Sequence, residues 1–138
     1  MQRKFLITAF LTLALALPAT GQLVKGKGAA LKPKEVEAAL FGIDMQGYSP
    51  TYGMSWRECI EPGGVTLYET PDRTSKGRLV VSPDGLACFS YEDDEYSTVS
   101  CYVTYKSGDG LRFEGAGDLF VTTKVVTGVK SCERQLIG

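Results

Sequence analysis

The residues whose type and spacing could do chemistry are Cys59, Cys88, Cys101 and Cys132, as metal ligands, redox thiols or disulfides. None forms a C-x-x-C pair, which removes the usual spacing of thiol redox centres and four-cysteine zinc sites. An even cysteine count in a short exported chain favours two disulfides instead. The stretch "GLACFSYEDDEYSTVSCYVTY", residues 85–105, sets the first pair. In extended backbone Leu86, Cys88 and Ser90 share one face, while Ala87, Phe89 and Tyr91 share the other. With Cys88 opposite Cys101, Leu86 meets Val103 and Ser90 meets Val99. That register predicts a hairpin with apolar residues on the cysteine face and a short loop at Asp93 to Tyr96. By elimination Cys59 pairs with Cys132, joining an early strand to the C-terminal tail.

Other reactive types are scarce. The chain has no histidine, which excludes Ser-His-Asp and Cys-His nucleophile arrangements and any His-ligated metal site. It has no asparagine, so it offers no N-glycosylation acceptor. Asp44, Glu58, Glu61, Asp109, Glu114 and Asp118 leave a carboxylate-pair hydrolase as the least favoured function, since such pairs are defined by separation in space. The acidic run Glu92 to Glu95 lacks the ligand spacing and turning glycine of a calcium loop and reads as a charged hairpin tip. The expectation is a protein that is not an enzyme, with no metal and no cofactor.

The N-terminus speaks to compartment. Arg3 and Lys4, the apolar run "LITAFLTLALAL" and the small residues Ala19 and Gly21 before Gln22 follow the order of a secretory signal peptide. The apolar run falls short of the roughly 20 residues a membrane helix needs. Residues 1–21 are therefore expected to be a signal peptide, 22–31 a flexible lead-in and 32–138 a single β-rich domain. The destination is the periplasm in a Gram-negative cell, otherwise the exterior, with no transmembrane segment in the mature form. Removing Arg3 and Lys4 leaves 13 basic against 16 acidic residues, a net charge of −3. That balance gives no field for nucleic acid. Lys25, Lys27, Lys32 and Lys34 read as a solvated lead-in rather than an anion-binding patch.

The elements that must position any site follow from period and punctuation. "KPKEVEAALFG" predicts one short helix, with Pro33 in its first turn, Glu35 and Glu37 at its positive end, and Gly42 as its C-terminal stop. Beyond it, "MSWRECI", "VTLYET", "GRLVVS", "LACFSYE", "TVSCYVTYKS", "GLRFEG" and "LFVTTKVVT" read as short strands divided by turn residues. The fold class is mainly β: a small antiparallel meander of about seven strands curled into a barrel or sandwich, with one N-terminal helix and two disulfides. Residues 42–58 read as the least regular segment. On it, Tyr48 and Tyr52 are candidate contact residues, while Trp56 is expected in the core.

The order "ALFG", Gly47, "PGGVTLYE", "DGLACFSY", "SCYV" and "GLRF" resembles a family of small exported alphaproteobacterial proteins catalogued as domain of unknown function 995. The resemblance spans about residues 36–128, with "DG-x-x-C" and the following cysteine as its most specific part. Gly77-Arg78-Leu79 stands where that family shows G-x-W, and Cys59 and Cys132 lie outside the pattern. The resemblance implies a β-rich periplasmic fold and a structural role for Cys88 and Cys101. It implies no reaction.

Three functions follow in order of expectation. The first is a non-catalytic exported binding or accessory protein that contacts another protein or an envelope component. The second is a carrier of a small apolar ligand inside a β-barrel. A filled barrel is expected from seven short strands with few small inward residues, and a continuous cavity of several hundred cubic ångströms would favour the carrier. The third is the carboxylate-based hydrolase.

Overall fold

The computed structural model describes residues 28–133. The expected signal peptide, residues 22–27 and residues 134–138 lie outside the described residues. The chain enters through α1 (Pro33–Leu40), where the Glu35 carboxylate accepts the Lys32 backbone N–H at 2.7 Å. Eight strands follow: β1 (Ile43–Ser49), β2 (Met54–Ile60), β3 (Val65–Glu69), β4 (Thr74–Val81), β5 (Ala87–Tyr91), β6 (Ser100–Ser107), β7 (Gly110–Gly115) and β8 (Asp118–Thr127). Each pairs antiparallel with the next, and β8 returns to β1 to close a barrel. Closure removes the sheet edges on which other chains would pair.

The strand missing from the sequence reading is β1. Its inward positions are Ile43, Met45, Gly47 and Ser49. Only the first two are apolar side chains, so alternation fades halfway along. The segment read as irregular is in fact the β1–β2 hairpin, in register from Ile43 opposite Ile60 to Ser49 opposite Met54.

Both disulfides are formed, Cys59–Cys132 and Cys88–Cys101. In the β5–β6 ladder Ala87 faces Tyr102, Cys88 faces Cys101 and Phe89 faces Ser100. Two features differ from the expected hairpin. The core side of β5 is the Ala87–Phe89 side, so the disulfide lies on the outer wall, and Val99 is 61 % exposed. The connection is also longer than four residues, running from the end of β5 to Ser100. Within it the Asp94 carboxylate accepts backbone N–H groups of Tyr96 at 3.1 Å and Thr98 at 3.2 Å. Asp93 accepts the Ser75 hydroxyl at 2.7 Å, pulling the loop towards β4.

One end of the barrel is closed by α1. Val36 and Leu40 are fully buried there, and Leu31 and Phe41 pack on the same core. The turns before β3 and β5 leave room for them: a Cβ on Gly64 would meet the Phe41 ring at 3.2 Å, and one on Gly85 would meet Pro33 at 3.3 Å. The expected lead-in of residues 22–31 extends too far. Ala30 bridges Tyr105, and the Leu31 N–H donates to the Thr104 carbonyl at 2.8 Å. The tail is tied to the same end by Val129, whose N–H donates to the Gly42 carbonyl, and by Cys132.

Candidate functional site

The other end is open and leads to a cavity of about 430 Å³. Period-two alternation along β2 faces Met54, Trp56, Glu58 and Ile60 inward, so Trp56 and Glu58 sit one below the other in the wall. Met45, Phe89, Phe113 and Phe120 add apolar wall, and Tyr68, Tyr91 and Tyr102 bring hydroxyls. Tyr52, Asp72, Arg73, Asp94 and Asp118 form the rim. Below Glu58 the lumen is solid, filled by Ile60, Leu79, Ala87 and Leu111 against Val36 and Leu40 of the helix.

Eight strands give a barrel that side chains can just fill, or that can hold one small ligand. Glycine decides which applies here. A Cβ on Gly47, Gly77 or Gly115 would lie 2.0–2.2 Å from a backbone carbonyl oxygen of the neighbouring strand, and 2.6 Å from the Trp56 ring, 2.6 Å from the Tyr91 ring and 3.1 Å from the Tyr102 ring respectively. Gly47 is directly opposite Trp56 across the ladder, and Gly77 is directly opposite Tyr91. Each large ring therefore lies back over a neighbouring strand that has no side chain of its own. Aromatic rings covering glycines in this way pin register as well as filling space. Laid along the wall, they leave the axis open. Edge-on contacts of Trp56 with Phe113 and Phe120, and of Tyr102 with Phe120, hold the lining in place.

Glu58 is the unusual group in this lining. It is 3 % exposed, and one carboxyl oxygen accepts the Tyr91 hydroxyl at 2.8 Å, while the other, Oε1, has no hydrogen-bond partner. Burial raises its pKa from the ordinary carboxylate value to about 8, against which the Tyr91 hydrogen bond pulls back in part. Thr66 is near enough to lower it slightly, but its Oγ1 makes no hydrogen bond of good geometry. Glu58 is therefore an uncharged carboxylic acid at neutral pH. Burial also pushes Tyr68 up to about 12 and raises Tyr91 and Tyr102, with the Glu58 charge adding to all three. The tyrosines stay protonated donors across the physiological range. The Trp56 Nε1–H is buried without an acceptor as well.

The candidate contact residues separate. Tyr48 is 47 % exposed on the outer face of β1. Tyr52 is 54 % exposed but belongs to the rim: its hydroxyl donates to Asp118 at 2.8 Å and its ring packs on Phe120. That hydrogen bond raises the Tyr52 pKa.

Of the acids singled out in the sequence, Glu58 and Asp118 line the cavity. Asp44 is on the outer wall, where Arg57 clamps it with bonds of 2.8 and 2.5 Å and also reaches Glu69. Glu61 accepts the Cys132 N–H at 3.0 Å, and Glu114 pairs with Arg112. Among the described residues no cluster of three His, Cys, Asp or Glu side chains could hold a metal ion. Sequence reasoning passed over Glu58 as a buried group, although its alternation with Trp56 and Ile60 was the signal that placed it inside.

In comparison with known proteins, the chain matches no family model, and no curated protein or solved structure is significantly similar to it.

Proposed function

We propose that this is a non-catalytic, exported binding protein that carries one small, largely apolar molecule in its barrel. The observation that carries this reading is the aromatic-walled cavity of about 430 Å³ at one end of an otherwise solid barrel. Ligand sites of this kind are concave, mostly apolar, and of about 300–1,000 Å³, with a few convergent polar groups. The Glu58 carboxyl and the tyrosine side chains in the lining are such groups. Export is supported by the signal-like N-terminus and by two disulfides, which persist in oxidising compartments. The resemblance to domain of unknown function 995 agrees with export and adds no reaction.

The test uses the chain's single tryptophan, Trp56, which lies in the cavity wall. Titration with the neutral dye phenylnaphthylamine is expected to quench Trp56 saturably at one site per chain. Native mass spectrometry of protein purified from its own cells is expected to show a retained small molecule. An unaltered tryptophan emission together with an empty native mass would refute the carrier.

A second reading, contact with another protein or an envelope component, is favoured by the loop between β5 and β6. There Tyr96 is 81 % exposed, close in sequence to the exposed Val99. Pull-down from an envelope extract, with Tyr48→Ala/Tyr52→Ala and Tyr96→Ala proteins as comparators, tests it. Equal recovery by all three proteins would refute a contact at these tyrosines.

A further inference from the structure

Assuming the cavity is a ligand site, its lining also specifies the ligand's charge. We propose that it takes an organic cation, an amine with an aromatic or alkyl body, whose ammonium group sits against Glu58. The charged lining groups are Asp72, Asp94 and Asp118, opposed by Arg73 at the rim, with the ionisable Glu58 carboxyl beneath them. An anion would enter against that field, and a cation would enter with it. The walls act in the same direction. The faces of Trp56, Tyr68 and Tyr91 carry the negative side of the ring quadrupole, which attracts an ammonium within about 6 Å.

Glu58 supplies the specific contact. A buried carboxyl with one oxygen unpartnered is costly unless something completes it. An ammonium does so twice, as a hydrogen-bond donor to Oε1 and as the counter-ion absent from the interior. The groups facing Glu58 are Tyr91 from β5, whose hydroxyl already donates to Oε2, Tyr68 and Thr66 from β3, and Tyr102 from β6. All four are hydroxyls, so none competes as a cation.

The empty protein holds Glu58 protonated at neutral pH, since its pKa lies at about 8. An arriving ammonium stabilises the carboxylate, and the carboxyl proton leaves to solvent. Cation binding is thus coupled to release of about one proton near pH 7, and affinity rises with pH until about pH 8.

The experiment is calorimetric titration of the exported protein with phenylpropylamine, phenylpropanol and phenylpropanoate, which share one skeleton and differ in charge. Running each in two buffers of different ionisation enthalpy reads the proton count. The amine is expected to bind about tenfold or more tighter than the alcohol, the scale of one hydrogen bond to a charged group. It should release close to one proton per site, where the alcohol releases none. In Glu58→Gln, which keeps an acceptor for Tyr91, the preference of amine over alcohol and the proton release should both vanish. Equal or tighter binding of the alcohol or the acid by the unaltered protein would overturn the cation assignment and leave the carrier standing. An amine preference that survives in Glu58→Gln would overturn it too. Failure of all three probes and of phenylnaphthylamine would refute the carrier itself.

Discussion

The Glu58 carboxyl makes the protein's stability depend on pH in a window where little else titrates. Its pKa is about 8 in the folded chain against an ordinary 4.5. Between these values the folded state holds a proton that the unfolded state has lost, so stability falls as pH rises through the window and levels off above about 8. Integrated from about pH 5 to 8, the loss is about 3–4 kcal/mol, at roughly 1.4 kcal/mol per unit. Background is low. The chain has no histidine and its cysteines are bonded, which leaves the α-amino group as the other ordinary titration there. Glu58→Gln removes the ionisation and retains an oxygen for the Tyr91 hydroxyl, which donates to the carboxyl at 2.8 Å. Urea unfolding followed by Trp56 fluorescence, at unit steps over about pH 5 to 8, should show the midpoint of the unaltered protein falling steadily at constant slope m. The variant's midpoint should stay level. Stability of the unaltered protein that varies by less than about 1 kcal/mol, or that rises, would refute the buried acid. So would a slope that persists in Glu58→Gln.

Other perturbations separate wall, rim and staples. Gly77→Ala places a methyl group 2.2 Å from the Ser90 carbonyl oxygen and 2.6 Å from the Tyr91 ring, so the β4–β5 backbone as well as the ring must shift; the expected cost is about 3 kcal/mol or more by denaturation, with weaker dye binding. Trp56→Ala, which removes a ring only 5 % exposed, is expected to cost about 3–5 kcal/mol. Tyr48→Ala/Tyr52→Ala should cost about 1 kcal/mol in the same assay, mainly the Tyr52 hydrogen bond to Asp118. Replacing Cys88 and Cys101 by serine opens a link across 13 residues and should cost about 3 kcal/mol, whereas opening Cys59–Cys132 across 73 residues should cost about 4 kcal/mol.

Much of the frame was legible because it rests on local rules. Pro33 and Gly42 bracket a helix that runs Pro33–Leu40, and turn residues divide β2 to β8 in the expected order, although β4 begins at Thr74, inside the segment read as a turn. The register of Cys88 opposite Cys101 follows from pairing the two cysteines as a disulfide. What alternation cannot say is which face of a strand turns inward when both carry apolar groups. On β5 the choice lay between Leu86–Cys88 and Ala87–Phe89, and the two aromatics Phe89 and Tyr91 decided it by volume. The length of the next loop was equally hidden, because it depends on Ser75 from another strand holding Asp93.

The site was illegible for a reason tied to β1. Without that strand the count was seven, and a narrow barrel with bulky inward residues should be filled. The eighth strand widens the ring. It also brings Gly47 opposite Trp56, turning a residue that looks like core filler into wall. The same holds for Tyr91 over Gly77 and Tyr102 against Gly115. Read singly, a glycine in a strand marks weakness and a tyrosine marks bulk. Paired across the ladder, they move that bulk from the axis to the perimeter. An acid on the same face as Trp56 then ends up at the bottom of an open well, with Ile60 of its own strand in the solid core beneath it. Whether such an acid serves a ligand or only destabilises the fold is a question of what replaces water at Oε1, and an ammonium is the group that would lower its pKa rather than leave it protonated.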